Sequence, residues 1–543
     1  MSERNPLILA NLIHSWCDKA PDRDILTFVN IDENGQFQDE TRTYQQLWEN
    51  GQRLAAWLQG QGMTRGDTFA IVMLNHPEFV DLMVASSILG TVFVPIDART
   101  RGDKLKYMLD FAECKGAVVG DGALAEVEAV WRENTGKWIA TITPGEAGHP
   151  NLSTVLAGPV QAPELAVMST DPSAPMQLLY TSGTTGDPKA IMSAHKRYGL
   201  AALLTPTLGL TGEDRPYTGL SLTHANAQIL TLGMVLHTGM RGVISRKFSK
   251  SRLWDITREY GCTFFNLLGG MTTAIYAEPP RGDDTDNPVR AILSAGMPAA
   301  IWEDFARRFD VKLFEFYGAA EGGLTFNPSG VGPVGSCGKA PPTLQLAVLD
   351  EEGNPTAPGV AGEICFREAD GGCPELTYFK NTEATAKKTG GGWLRMGDIG
   401  HLDEDGWLFF HYRIGGGIRK NGDFINCAFV EKALSEIDSI SDVFVYGLEV
   451  SEGLAPGEKE IIGAVVPINH DDFDVAAVFQ TCGEKLDRNS VPDYIQVLDE
   501  IQKTASEKPQ ERFLIDAFEA NPTNVYAAPA NAKAAPHKPT CQK

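Results

Sequence analysis

Ten residues in the first half of the chain combine hydroxyl groups, glycines and a lysine in a pattern that suits phosphate binding. The segment follows an apolar run, Gln177–Tyr180, and reads Tyr180-Thr181-Ser182-Gly183-Thr184-Thr185-Gly186-Asp187-Pro188-Lys189. Glycines let main-chain N–H groups approach an anion, hydroxyls donate hydrogen bonds, and the lysine adds a positive charge. The pattern predicts a polyphosphate-binding loop, although the Walker A spacing is absent. From these residues alone, a surface turn rich in Gly, Ser and Thr stays the alternative.

Further segments accompany this loop, and together they resemble the motifs of the acyl-adenylate-forming superfamily. That superfamily includes acyl-CoA synthetases, peptide-synthetase adenylation domains and firefly luciferase. The similarity runs in the family's order from Thr43-Tyr44 to about Phe513. Its segments are Tyr180–Lys189, Ser294–Pro298, Tyr317–Glu321, Gly392–Asp398, Arg413 and Gln502–Lys508. Within the superfamily, the stretch from Phe314 to Gly322 looks most like the fatty-acid-transport, bile-acid and carnitine CoA-ligase branch.

The resemblance implies that the chain binds ATP and Mg²⁺, and it assigns roles to the motif residues. Glu321, together with Thr181, corresponds to the Mg²⁺ ligands. Ser294–Pro298 corresponds to the segment whose backbone lies against adenine. Asp398 and Arg413 correspond to ribose contacts, and Lys508 to the lysine that bridges the attacking carboxylate and the α-phosphate. The implied catalytic residues are Lys508, Glu321, Thr181, Lys189 and His224. The implied nucleotide contacts are Thr181, Ser182, Gly183, Thr184, Thr185, Gly186, Lys189, Ala295, Gly296, Met297, Tyr317, Gly318, Ala319, Ala320, Glu321, Asp398, Arg413 and Lys508.

The activity that the resemblance implies is that of an acyl-CoA synthetase. A carboxylic acid attacks the α-phosphate of ATP to give an acyl-adenylate and pyrophosphate, and the thiol of coenzyme A then displaces AMP. The expected substrate is a bulky, fatty, steroid or terpenoid, or carnitine-like acid, because many candidate pocket residues are small. His224 matches a position that gates the carboxylate, with a structural histidine as the alternative.

Several positions depart from the family pattern and keep other functions open. Ala320 stands where threonine is usual, Glu507 replaces a glycine before Lys508, and Gly416 replaces a polar hinge residue. A weakened ligase is one interpretation. An adenylation enzyme that loads a carrier-protein thiol is a second, and a non-catalytic nucleotide-binding regulatory protein is a third. Retention of the motif lysines and carboxylates argues against the last.

The elements around these motifs alternate between helical and apolar strand-like stretches. A helix is predicted over Thr43–Gly62, with strands over Phe69–Leu74 and Val92–Ile96. The alternation continues along the chain, which favours an α/β fold with mainly parallel sheets. By resemblance, residues 1–412 form a large N-terminal domain of layered α/β sheets plus a distorted barrel. Residues 413–417 form a hinge, 418–519 a small mobile α+β C-terminal domain, and 520–543 a disordered tail.

The composition excludes several classes of protein. The chain has 543 residues and a net charge of −23, so a nucleic-acid partner is not expected. Its nine cysteines form neither a metal-ligand pattern nor a disulfide framework, which favours a reducing cytoplasm. No signal peptide or membrane-spanning segment is predicted. The oligomeric state stays open, a homodimer included.

Overall fold

Local sequence signals account for the predicted helix after Thr43. In the computed structural model the helix covers Tyr44–Gly60, and the Thr43 and Gln46 side chains form a reciprocal capping box at its start. Its apolar stripe, including Leu47 and Leu54, is buried. The structure describes residues 4–132, 136–142, 148–181, 188–414, 418–420, 423–425, 427–451, 454, 458–486, 488–504, 507 and 509–529.

The described elements follow the α/β alternation that the sequence predicts. The strands are β1 Asp24–Ile31, β2 Phe37–Thr43, β3 Thr68–Val72, β4 Val92–Ile96, β5 Gly116–Val119, β6 Trp138–Thr141, β7 Pro175–Tyr180, β8 Ala190–Ala194, β9 Pro216–Thr218, β10 Gly242–Ser245, β11 Phe264–Leu268, β12 Ala291–Ala295, β13 Lys312–Ala319, β14 Gly322–Asn327, β15 Leu344–Leu349, β16 Gly362–Glu368, β17 Leu394–Leu402, β18 Leu408–Arg413, β19 Arg419–Lys420, β20 Asp423–Phe424, β21 Ile440–Leu448, β22 Glu460–Pro467, β23 Tyr494–Val497 and β24 Val525–Ala527.

The helices connect these strands and cover the sheet faces. They are α1 Leu9–Lys19, α2 Tyr44–Gly60, α3 Pro77–Leu89, α4 Gly102–Phe111, α5 Leu124–Val130, α6 Leu152–Leu156, α7 Arg197–Leu200, α8 Met234–Thr238, α9 Leu253–Tyr260, α10 Gly269–Tyr276, α11 Trp302–Phe309, α12 Thr382–Lys388, α13 Cys427–Ser435, α14 Val475–Lys485 and α15 Glu511–Ala520. Short 3₁₀ turns cover Ala201–Leu204, Ala299–Ile301, Gly390–Gly392 and Pro522–Asn524, and a π-helix covers Asn226–Gly233.

Two large mixed sheets form the greater part of the molecule. One has the order β14-β13-β12-β11-β9-β10-β1-β2, and the other has the order β6-β5-β3-β4-β7-β8. Most neighbouring strands are parallel, with antiparallel pairs at β1–β2, β13–β14 and β7–β8. One buried apolar cluster contains residues of both sheets and of α1, α2 and α3. In α3 every residue except Glu78 is buried, as expected for a helix enclosed within a core.

Three smaller sheets follow among the described residues, and one of them is the two-stranded β19–β20 pair. The last part of the predicted N-terminal domain contains an antiparallel sheet of order β15-β16-β17-β18. Beyond it, β21, β22, β23 and β24 form a separate mixed sheet. Here the prediction of a disordered tail from residue 520 is wrong for its first part, because Val525–Ala527 pairs antiparallel with β23. The remainder of that predicted tail, from residue 530, lies outside the described residues.

Two lysines bridge the β21–β24 region and the rest of the molecule. Lys250 donates from Nζ to the Ser441 carbonyl (3.0 Å), and Lys432 donates from Nζ to the Ala300 carbonyl (2.7 Å). Each lysine also has a carboxylate neighbour on its own side of the junction. These neighbours are Glu278 at 3.1 Å from Lys250 and Glu436 at 3.7 Å from Lys432.

The described part of the chain contains no helix that is both long and apolar enough to cross a bilayer. Its cysteines are all free thiols. Most are buried, and burial raises the pKa of Cys114, Cys262, Cys365 and Cys482 to about 12.

Candidate active site

The carboxyl ends of three parallel strands meet at a large cleft. The register pairs Leu268 of β11 with Ala295 of β12, and Ser294 of β12 with Glu315 of β13, so these strands end side by side. The cleft has a volume of about 3200 Å³. Its walls include most of the described residues that the sequence assigned to the site, namely Thr181, His224, Ala295, Gly296, Met297, Tyr317, Gly318, Ala319, Ala320, Glu321, Asp398 and Arg413.

The segment after β12, which the resemblance assigned to adenine, is held by a buried carboxyl group. Glu315 accepts hydrogen bonds from the N–H of Gly296 (2.5 Å) and of Met297 (3.2 Å). Gly296 has φ +92°, a conformation that favours glycine. Glu315 is only 2% exposed, and burial raises its pKa to about 7, against the opposing effect of the two N–H donors. Glu315 of β13 therefore holds the backbone at Gly296 and Met297 in place.

Glu321, the predicted Mg²⁺ ligand, follows directly after β13. The hydroxyl of Tyr378 donates to its Oε1 at 2.9 Å. Lys189, at the far end of the predicted phosphate loop, places Nζ 5.5 Å from the centre of the same tyrosine ring. Tyr378 thus connects the phosphate-loop lysine to the carboxylate across the cleft wall.

Asp398 and Arg413 form the predicted ribose pair. They lie opposite each other in the antiparallel register of β17 and β18. Arg413 donates from Nε to Asp398 Oδ1 at 2.8 Å, and the Tyr317 hydroxyl donates to Oδ2 at 2.5 Å. This hydrogen bond to Asp398 raises the pKa of Arg413. The aspartate is 3% exposed, so it is oriented before any ligand binds.

The predicted phosphate loop joins β7 to β8. At its base, the Thr181 N–H donates to the Lys189 carbonyl at 2.9 Å. Residues 182–187, and with them the candidates from Ser182 to Gly186, lie outside the described residues. The structure therefore places the two ends of the loop at the cleft and gives no contacts for its centre.

His224 lies on the cleft wall, just before the π-helix. Its Nδ1 accepts the N–H of Asn226 at 3.2 Å, so Nδ1 carries no proton. Burial lowers the pKa of His224 to about 4. A neutral imidazole at neutral pH can donate or accept a hydrogen bond but supplies no charge to a carboxylate.

The π-helix and its neighbours form an apolar wall. A cluster of partly buried side chains faces this part of the cleft, comprising Leu204, Ile229, Leu230, Ala295 and Leu324 around Phe316. The π-helix itself is held at Asn226 and Thr231, which contact the Asn266 side-chain amide at 3.0 Å each. π-Helical turns are uncommon and concentrate at functional sites.

The segment before Lys508 reaches the cleft from the C-terminal part of the chain. Lys503 pairs with Asp442 at 2.6 Å, and Glu507 has φ +57°. A Cβ placed on Gly270 would lie 3.0 Å from the Glu507 carbonyl oxygen, so this segment touches α10. Lys508 itself, and the hinge glycines 415–417, lie outside the described residues.

Three residues at the site escaped the sequence analysis. Tyr378 and Arg197 reach it from segments with no recognisable motif, and each bonds a partner that is far away in sequence. Glu315 left a usable signal, because a lone carboxylate between Phe314 and Phe316 in an apolar strand predicts a buried acid with a specific partner.

Comparisons with known proteins identify the family to which the chain belongs. The AMP-binding enzyme family matches residues 13–371, and the chain belongs to that family. The predicted family, fold and enzyme class are thereby confirmed. A medium/long-chain-fatty-acid–CoA ligase of Mycobacterium tuberculosis, FadD17, is 28% identical over 90% of this chain and 95% of its own length.

Two further similar proteins come from different sources. Long-chain fatty acid transport protein 1 of Mus musculus is 28% identical over 89% of this chain and 79% of its own length. The crystal structure of the anthranilate CoA ligase AuaEII with anthranoyl-AMP superposes with a TM-score of 0.81 at 21% identity. It covers 96% of this chain and 99% of that one. At 21% identity, this similarity shows a shared fold.

Proposed function

We propose that the protein is an ATP-dependent acid–CoA ligase. It joins a carboxylic acid to AMP with release of pyrophosphate, and the thiol of coenzyme A then takes the acyl group and releases AMP. One observation carries the proposal: a single cleft combines the Asp398–Arg413 pair, the Glu315-held segment and Glu321 with an apolar wall. A nucleotide and an apolar acid can therefore meet there.

Mg²⁺ would enter with ATP as a substrate complex. The residues that the structure describes include no group of three His, Cys, Asp or Glu side chains that could hold a metal ion. That agrees with Mg²⁺, which usually binds one or two carboxylates and the substrate phosphates. Glu321, which accepts a hydrogen bond from Tyr378, is the proposed carboxylate, and Thr181 of the same cleft is the proposed second ligand. Lys189 and residues 182–186 would bind the outer phosphates.

The acid is proposed to be apolar at its distal end. Ile229, Leu230 and Leu324 supply an apolar surface in the cleft. A fatty or terpenoid acid fits better than a carnitine-like one. The names of the two similar sequences, which concern fatty acids, support the same choice.

The second half-reaction is proposed to require movement of the C-terminal part. Residues 1–412, the hinge 413–417 and residues 418–519 are the proposed units, with Lys508 serving adenylation only. The Lys508→Ala variant should lose ATP–pyrophosphate exchange yet keep much of its thioester formation from supplied acyl-adenylate. Equal loss of both steps would contradict the assignment.

A panel of acids tests the proposed function. Pyrophosphate release should require an acid, be fastest with medium or long apolar acids, and yield an acyl-CoA when coenzyme A is added. Replacing coenzyme A by a phosphopantetheinylated carrier protein distinguishes the carrier-loading alternative. No pyrophosphate release with any acid would contradict the ligase assignment. A cytoplasmic location and a homodimer stay predictions.

A further inference from the structure

Arg197 is a cleft residue that belongs to none of the sequence motifs. It begins α7, and its Nη1 donates to the main-chain carbonyl of Ala320 at 2.6 Å. Both residues line the cleft, next to Glu321. The contact spans 123 positions in the chain, so it joins the end of β8 to the segment after β13.

The backbone that carries Arg197 is tightly packed. A Cβ on Gly233 of the π-helix would lie 2.4 Å from the Tyr198 carbonyl oxygen, which shows how closely α7 approaches that helix. The Tyr198 hydroxyl also donates to the Gln228 side chain. These contacts hold the backbone of α7, from which the Arg197 side chain reaches the Ala320 carbonyl.

The guanidinium stays charged in this position and has donors to spare. Burial lowers the pKa of Arg197, and the Glu321 carboxylate opposes that shift, but an arginine starts so high that it remains protonated. Of its five N–H donors, one bonds an acceptor within the described part of the chain, the Ala320 carbonyl. A half-buried cation with remaining donors in a ligand cleft is suited to a bidentate anion such as a phosphate.

Ala320 is also the position where the chain lacks the hydroxyl usual in its family. The methyl side chain of Ala320 can donate nothing to an anion, whereas Arg197 contacts the same residue from the cleft wall. A donor is thus present close to residue 320, but it comes from a different part of the sequence.

We propose that Arg197 is a catalytic residue that binds the α-phosphate of ATP and of the acyl-adenylate, in place of a hydroxyl at position 320. This inference rests on the proposed function. A planar guanidinium can donate to two phosphate oxygens at once and can follow the charge that develops on them during transfer. The residue acts in both half-reactions, because the same phosphate is the leaving group when the thiol attacks.

Binding of AMP and of adenosine tests the assignment without turnover. By calorimetry on the full chain, Arg197→Met should weaken AMP binding about tenfold to a hundredfold, the range for a lost charged hydrogen bond, and leave adenosine binding unchanged. Arg197→Lys should recover only part of the AMP affinity, since an ammonium cannot make both contacts. Lys196→Met is the matched control. It removes the neighbouring cation, which pairs with Glu375 at 2.6 Å, and should change neither affinity.

A second substitution separates phosphate binding from structural support. Ala320→Thr restores a hydroxyl at the site, and in the Arg197→Met background it should recover much of the AMP affinity. The same change in the native chain should have a smaller effect, because the two donors serve one phosphate and their effects are not additive.

Three results would overturn the inference. If Arg197→Met weakened the binding of AMP and of adenosine equally, Arg197 would only hold the backbone at residue 320 in place. If the variant had unchanged AMP affinity and a raised KM for the acid, Arg197 would bind the carboxylate of the substrate and not the phosphate. If Ala320→Thr recovered no AMP affinity in the Arg197→Met background, and that variant kept native thermal stability, residues 197 and 320 would not serve the same phosphate. If the native chain bound neither AMP nor ATP, the proposed function itself would fail, which is a different result from loss in the variant alone.

Discussion

Glu315 shows how a single buried acid can make the adenine segment sensitive to pH. Its pKa is raised from 4.5 to about 7 by burial, so the folded chain prefers the protonated form. Stability from this group is fully present below pH 4.5 and is lost as the pH rises through 7. Over that interval the loss is on the order of 3 kcal/mol.

The Glu315→Gln variant should remove this pH dependence, since glutamine keeps an acceptor for Gly296 and Met297 but cannot ionise. Between pH 5 and 8, we expect the free energy of unfolding of the variant to rise relative to that of the native chain. Urea unfolding at several pH values measures the difference, and all other titrating groups cancel in it. A constant difference across that range would mean that Glu315 ionises normally in the fold.

At the residue scale, short local patterns were enough to single out side chains that the structure brings to one cleft, and their roles stay predictions. Asp398, Arg413 and Glu321 line that cleft, and each could be singled out because it belongs to a short local pattern. Tyr378 and Arg197 could not be predicted, because their roles come from contacts across 57 and 123 positions. No local spacing encodes such contacts.

The apolar face of the π-helix makes a prediction about substrate length. Leu230 lines the cleft within the apolar wall. Leu230→Asp places a negative charge on this wall, and a long acyl chain that packs there would have to remove water from that charge. The KM for long apolar acids should therefore rise about tenfold or more. Short acids, which do not reach the wall, serve as the internal control. An equal rise for acids of every length would place the acyl chain elsewhere.

β24 gives an element-scale prediction of stability. Its main chain pairs with β23 at Val525, Tyr526 and Ala527. Ending the chain after Ala520 should cost about 1–3 kcal/mol of unfolding free energy, through the lost main-chain hydrogen bonds. Ending it after Pro529 keeps the strand and should change nothing. Indistinguishable thermal unfolding of the two truncations would show that β24 adds no stability.

Some helices and strands are determined by their local sequence, and others by contacts with residues that are distant in the sequence. β4 was predicted at its observed bounds, because an apolar β-branched run is a strong local signal. The π-helix depends on Asn266 from β11. β24 is three residues long within a stretch rich in Ala and Pro, so only its pairing with β23 defines it. Both needed tertiary contacts that the sequence pattern does not contain.

At the scale of the whole molecule, Gly270 marks where the C-terminal part meets the cleft. Its hydrogen faces the Glu507 carbonyl, and a Cβ there would stand 3.0 Å away. Gly270→Val should push the segment before Lys508 outward. We expect ATP–pyrophosphate exchange to fall several-fold more than thioester formation from supplied acyl-adenylate, because only adenylation is proposed to need this docking.

Gly212→Val is the matched control for that experiment, since a Cβ at Gly212 meets nothing within 4 Å. Both rates should be native in it. Saturating acid is used throughout, so that a change in acid affinity does not imitate a docking effect. If Gly270→Val lowered both rates equally, the segment would not distinguish the two half-reactions.

The lysine contacts between the β21–β24 region and the rest of the molecule have a consequence for reversibility. Lys250 and Lys432 reach across to main-chain carbonyls, while their carboxylate neighbours, Glu278 and Glu436, stay on their own sides. When these two lysine contacts break, water can take the place of each carbonyl, and neither lysine leaves behind an acid that it had neutralised. If the C-terminal part moves as proposed, the two parts can separate and rejoin at these points without leaving an unpaired carboxylate behind.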